Sequence, residues 1–347
     1  MTRPRAGVFI LQTGLGLALL AGWLWVVDLD QVWMTLMQAQ LPLILLAVLV
    51  LLVSGVLRTV RWRLILRPIV LVRLRDLWFI VVTSNMVNFV VPLRTGELAR
   101  GLLLRHRHGT SIATSLATVV VDRAFDLAAV VAIGAVGALT RTGLGKGTSA
   151  VLAGGLILLL GFAVFVLLAV WARRGGREAV RRLLPRSIGD RFRLRAEQVL
   201  ERFVLGIAVI RRRPPEVAWV MAISLAAAVL DAVAYFCLVL SLGGEAELLL
   251  VILGYSLFSL TFLIPAAPGY VGSAEVYGSL VFGAVGLSTG LAASSVVLHH
   301  ALTSVFLFGF GALGLWGLGL RPGASMRRLL GEGKVELEAS AGPETLG

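Results

Sequence analysis

The chain has 347 residues, of which 58% are hydrophobic and only 15% charged, with a net charge of +13 and a mean hydropathy of +0.92. A soluble domain carries about 25% charged residues, so this composition excludes a water-solvated fold and describes an all-α polytopic membrane protein. The basic balance does not indicate nucleic acid, because the arginines lie between apolar segments rather than on one soluble face. Cys237 is the sole cysteine, which excludes an internal disulfide.

In chain order, apolar segments long enough to cross a ~30 Å hydrocarbon core lie at 7–27, 41–57, 112–140, 150–171, 216–241 and 291–319. The first follows Arg3 and Arg5 and carries Trp23 and Trp25 at its far end. It lacks a small-residue cleavage site and reads as an uncleaved span with an aromatic anchor. The stretch 58–75 holds Arg58, Arg61, Arg63, Arg67, Arg73 and Arg75, and a second arginine-rich loop runs over 173–215. The positive-inside rule puts both on the cytoplasmic side of a bacterial-type inner membrane, with both termini and the tail 321–347. The segment "RFRLRAEQVLERFVLG" within the second loop is read either as an amphipathic helix on anionic headgroups or as a solvated linker.

Two apolar stretches fit poorly as simple spans. The first, 76–93, runs into "PLRTGELAR", and a full crossing would put Arg94, Arg100, Arg105 and Arg107 outside. The second, 248–286, is interrupted by "IPAAPGYVGSAE". Both are expected to be re-entrant helical hairpins, entering from opposite faces. Phe89, Pro92 and Gly96 align with Phe262, Pro265 and Gly269 at one common offset, and Glu97 and Glu275 follow the two breaks. An inverted repeat has this form.

Non-helical backbone at membrane depth needs protein or a water-filled cavity to satisfy it. Ionisable residues there cost roughly 2.5–3.5 kcal/mol each on insertion scales and require partners or a task. Asp122 and Asp126 stand one helical turn apart in "VVVDRAFDLAAV". They would repel without an intervening cation, for which Arg94 or Arg100 is the expected source. The charges are read either as a cavity lining or as a buried network that only locks helices together. Asp231, His299 and His300 are expected to make helix-packing hydrogen bonds, and Gly309, Gly311, Gly314 and Gly317 a close-packing surface. "TGLGKGTS" at 142–149 lacks the spacing of a phosphate loop. No metal-ligand spacing, nucleophile motif or cofactor signature is present, so no cofactor and no enzyme activity are expected.

"RTVRWRLIL" at 58–66, "PLRTGELAR" at 92–100, "VDRAFD" at 121–126 and "PGYVGSAE" at 268–275 occur in an order that resembles the transmembrane, flippase-like domain of the lysylphosphatidylglycerol synthases. The resemblance covers 7–320, taken as one membrane domain spanning 1–320. Asp122-Arg123 stands where the family more often has Glu-Arg, and Tyr270-Val271 interrupts its glycine-rich turn. In those synthases a soluble domain makes the aminoacylated lipid and the membrane domain moves it. Only about 27 residues follow the last span here, so the resemblance implies translocation without synthesis. It implies substrate contacts from Arg94, Glu97, Arg100, Asp122, Arg123, Asp126, Gly269, Gly272 and Glu275. The implied partners are membrane lipids, anionic or aminoacylated phospholipids or lipid-linked sugars, with a second copy or a separate synthase as possible protein partners. A membrane-embedded transferase or an accessory subunit in glycolipid, polyprenyl or hopanoid metabolism is the alternative.

Overall fold

A computed structural model of the chain describes residues 3–91, 95–139, 214–264 and 266–320. Ten α-helices and no strand occur among them: α1 Arg3–Val26, α2 Leu29–Met37, α3 Leu41–Leu66, α4 Leu74–Val90, α5 Thr95–His108, α6 Ile112–Leu139, α7 Pro214–Ser241, α8 Leu248–Thr261, α9 Ser273–Ala284 and α10 Thr289–Gly317. The expected span at 150–171, residues 173–213 of the arginine-rich loop and the tail lie outside the described residues, as do Pro92, Arg94 and Pro265.

Four helices are long and apolar enough to cross a membrane: α1, α3, α7 and α10. The 28-residue α6 has the length but holds Asp122, Arg123 and Asp126 near its centre. Local chemistry sets the helix ends. Asp28 caps α2 by accepting the Gln31 N–H at 3.1 Å. Prolines open α3 and α7, where the missing N–H has no intrahelical partner to lose. Helix α3 continues to Leu66, so Arg58 and Arg61 belong to the helix rather than to the arginine-rich loop read from the sequence.

Both apolar stretches that resisted assignment as spans are interrupted helices. In the first, α4 ends at Val90 and α5 begins at Thr95. In the second, α8 ends at Thr261, a 3-10 turn covers Pro268–Tyr270, and α9 starts at Ser273. Backbone φ is +69° at Gly269, +58° at Tyr270 and +80° at Gly272. At Gly272 the need for glycine is steric as well: a Cβ would lie 2.0 Å from the Gly16 carbonyl oxygen of α1.

The two long stretches pack on one another in a regular pattern. α3 and α7 run antiparallel along their whole length: the Gln40 N–H donates to the Ser241 carbonyl at 2.8 Å at one end, and Arg67 approaches Glu216 at 3.9 Å at the other. The other pairings exchange. α4 packs on α10 while α8 packs on α6, and each interrupted helix pair packs on the helix that follows it. Met86, Thr83 and Phe79 of α4 fill the surface left by Gly311, Gly314 and Gly317 of α10, whereas Gly309 faces nothing within 4 Å. Two of the apolar clusters centre on different stretches, one around Trp62, Leu77, Ile80 and Leu104 that also takes in Val220 of α7 and Leu315 of α10, the other around Tyr235, Leu253, Phe258 and Phe282.

One sequence offset generates the whole pattern. Phe89 precedes Phe262, and Gly96 precedes Gly269, by the same 173 residues that separate Arg58 from Asp231, its hydrogen-bonding partner. Shifted by that amount, α3 falls on α7, α4 on α8, α5 on the 3-10 turn and α9, and α6 on α10.

Candidate functional site

Four helices bring a group of charges together. α3 contributes Arg58 and Arg61, α5 Glu97 and Arg100, α6 Asp122, Arg123 and Asp126, and α7 Asp231. Arg61 stands between the two aspartates of α6. Its Nε donates to Asp122 Oδ1 at 2.8 Å, and its Nη1 donates to Asp126 Oδ1 at 2.6 Å and to Ser224 Oγ at 3.0 Å. Arg100 donates to the other oxygen of Asp122 at 3.1 Å and stacks its guanidinium 4.7 Å from the centre of the Trp62 ring. Arg58 bonds Asp126 through Nη1 and Asp231 through Nη2 at 2.6 Å. Ser54 Oγ donates to the second Asp231 oxygen at 2.5 Å. Arg123 approaches Glu97 at 3.3 Å and Asp126 at 3.4 Å.

Four arginines and four carboxylates therefore meet, and each is paired. Removing ions from water costs several kcal/mol apiece unless partners and hydrogen bonds replace the lost hydration, and this arrangement supplies both. Exposure divides the group in two. The Arg61, Asp122 and Arg100 side chains are at most 5% exposed, so they are sealed. Arg58, Asp126, Asp231, Arg123 and Glu97 retain between 14% and 39%. These five line a cavity of about 480 Å³ whose other walls include Val120, Leu127, Val130, Leu260 and Leu263.

A second cavity, of about 290 Å³, is also bordered by the Arg58–Asp231 pair and is walled by Phe89, Tyr255, Phe258, Phe262, Tyr270 and Phe306, with His299 and His300. Arg58, Asp231, Tyr255, Phe262 and Tyr270 border both cavities. The 173-residue offset relates the two: Asp126, Leu127 and Val130 of the charged cavity correspond to His299, His300 and Thr303 of the aromatic one.

The residues singled out in the sequence thus have three destinations. Glu97, Arg123 and Asp126 border the charged cavity. Arg100 and Asp122 are sealed behind it, buried at 4% and 3% exposure. Glu275, Gly269 and Gly272 belong to the second break: Glu275 accepts the Gly272 N–H at 2.8 Å and contacts His300, Gly272 is pressed against α1, and Gly269 faces the Phe89 ring. Arg94 lies outside the described residues. The cation between Asp122 and Asp126 is Arg61 of α3, and Arg58 of the same helix joins Asp126 to Asp231; sequence reasoning had placed both in a loop. Two signals mark them. Arg58 and Arg61, three residues apart, share one helical face as the aspartates, four apart, share theirs, and Arg58 is one repeat offset from Asp231.

Paired helices interrupted at related positions, around a charge-lined cavity with apolar walls, define a polytopic helical membrane protein with an internal polar site. The family follows from comparison with known sequences. Residues 11–311 match the family described as lysylphosphatidylglycerol synthase TM region, and the chain belongs to it. The chain is also similar to a protein named glycosyltransferase AglD from Haloferax volcanii, 28% identical over 326 residues, an alignment covering 84% of this chain and 51% of that protein. It therefore spans about half the length of that relative. No solved structure matches the chain.

Proposed function

We propose that the protein moves a lipid between the leaflets of the cytoplasmic membrane, passing the headgroup through the charged cavity without making or breaking a covalent bond. The observation that carries this reading is the cavity itself: five partly exposed charged side chains from four helices face a space with otherwise largely apolar walls. Charges of both signs can replace the hydration of a phosphate and of an amine or sugar in turn, and the apolar walls suit acyl chains. Membership of a family named for a lipid-modifying synthase supports a lipid as the cargo. Glu97, Arg123 and Asp126, with Arg58 and Asp231, are the groups we assign to the headgroup.

In the same reading the interrupted pairs α4–α5 and α8–α9 are re-entrant hairpins from opposite faces, and the chain is an inverted repeat with six full spans and both termini in the cytoplasm. Three observations support this. They are the constant 173-residue offset, the exchanged helix pairings, and the antiparallel contact of α3 with its own counterpart α7. A two-fold axis relating two antiparallel helices lies perpendicular to both, that is, in the membrane plane.

A second reading has a specific observation in its favour. The similar protein is named a glycosyltransferase, so a lipid-linked sugar, handled alongside a separate transferase, is the alternative cargo and role. Reconstitution separates the two. Purified protein in liposomes with fluorescent phosphatidylglycerol, phosphatidylethanolamine or a polyprenyl-phosphate-linked sugar is assayed for the label that an impermeant quencher reaches. Quenching beyond the outer leaflet supports translocation and names the lipid class, and protection of half of every probe rejects translocation.

A further inference from the structure

His300 stands where it needs a proton that the structure gives it only one way to hold. Its Nε2 lies 2.7 Å from the Gly269 carbonyl oxygen, which can only accept, so Nε2 carries hydrogen. Its Nδ1 lies 2.5 Å from Glu275 Oε1. With a neutral ring protonated at Nε2 and an ionised carboxylate, two lone pairs would face each other across that contact. One further proton must sit between them, borne by the ring or by the carboxyl, and the pair is then neutral as a whole. Loss of that proton leaves a net negative charge and removes the contact.

The pair also ties the second break to two helices. Glu275 holds the second break through the Gly272 N–H, and His300 holds it to α10 through Gly269. Between these two glycines stands Tyr270, at positive φ, with its ring against Phe89 and Phe262, bordering both cavities. The charged and titratable groups facing His300 are Glu275 on α9, Tyr270 in the break, Tyr255 on α8, and Arg58 and Asp231 on α3 and α7 across the aromatic cavity, with His299 beside it on α10; α4 contributes the Phe89 ring.

The pair has no counterpart in the other half: at the 173-residue offset, Glu275 falls on Leu102 and His300 on Leu127. Net movement in one direction needs coupling to a gradient, and a proton-binding pair present in one half only is a group through which such coupling can act. On the reading that this protein translocates lipid, we propose that Glu275 and His300 form a proton-binding site that couples lipid movement to a transmembrane proton gradient. The proton enters through the aromatic cavity, ties the break to α10, and leaves when the break swings Tyr270 away; a proton crosses with each lipid, and no bond of the lipid changes.

The first experiment needs no lipid cargo. In ¹⁵N-histidine-labelled protein in nanodiscs, the His300 signal, identified by its absence from His300→Gln, should lose a proton as pH rises. Glu275→Gln should abolish that step, because its amide donates to Nδ1 permanently. Identical His300 spectra in wild type and Glu275→Gln from pH 5 to 9 would overturn the proposal. In the second, liposomes start with equal leaflets and receive a one-unit pH difference with the membrane potential clamped. One proton per lipid should raise the ratio between leaflets by up to about tenfold, and Glu275→Gln should leave it at one. Wild-type lipid that moves yet stays equally divided refutes coupling while leaving translocation intact; lipid that moves neither with nor without a gradient refutes both.

Discussion

Arg58 and Asp231 occupy the same place in the two halves of the chain and are hydrogen-bonded to each other at 2.6 Å. On the proposed two-fold relation between the halves, equivalent positions that touch lie on its axis, so this ion pair, which borders both cavities, marks that axis. Its energetics are testable by a double-mutant cycle. Arg58→Met leaves Asp231 with Ser54 alone, and Asp231→Asn leaves Arg58 with Asp126. The single variants should lose more than the double predicts by addition, with a coupling of about 1–3 kcal/mol in detergent unfolding.

The sealed and the open charges should behave differently. Arg61 is fully buried against two carboxylates and Ser224, so Arg61→Met should cost about 3–5 kcal/mol by stranding them. Glu97 is 27% exposed, and Glu97→Gln should change stability by less than about 1 kcal/mol while slowing lipid movement on the order of tenfold or more, about 1.4 kcal/mol in the barrier. Thermal unfolding and the quenching assay on the same samples check both. Parallel loss of stability and transport in Glu97→Gln would make that residue purely structural.

Helix α10 offers a contrast within one element. A Cβ on Gly314 would lie 2.4 Å from Thr83 Oγ1 and 2.8 Å from the Phe79 carbonyl oxygen, while one on Gly309 meets nothing within 4 Å. Gly314→Ala should therefore destabilise by about 1–3 kcal/mol through overpacking, and Gly309→Ala should be neutral or stabilising by up to about 1 kcal/mol. Unfolding temperatures of the two variants check the α4–α10 packing.

Topology is open to labelling. In a background lacking Cys237, cysteines at the exposed positions Arg107 and Glu245 should react differently with an impermeant reagent applied to intact cells: 245 labelled, 107 protected until the membrane is opened. Labelling of 107 from outside would remove the first re-entrant hairpin from the proposed topology.

Much of the framework was readable from the sequence because lipid solvation imposes a coarse rule, long apolar runs for spans and proline with glycine where helices break. The breaks after Val90 and Thr261 were found that way, and so was the shared face of Asp122 and Asp126. Arg58 and Arg61 were missed because a count of arginines between apolar runs treats charge as a mark of the water phase. Helix α3 continues a further nine residues past the apolar run that ends at 57, and Arg58 and Arg61 there are solvated by carboxylates instead of water. Asp231, alone in its span, and His300, read beside His299, were given no named partner for a related reason: Arg58 and Glu275 lie 173 and 25 residues away, and only the packing of distant helices brings them within reach.

On the proposed inverted repeat, the contact at the axis also bears on descent. Two identical copies assembled about that axis would set this position against itself, arginine against arginine or aspartate against aspartate, with like charges repelling in a poorly solvated interior. Opposite charges there require the two halves to mutate independently, which is possible once both are encoded in one chain. The Arg58–Asp231 bond is thus a feature that a symmetric pair of subunits could not have possessed, and it favours the fused arrangement over any return to separate copies.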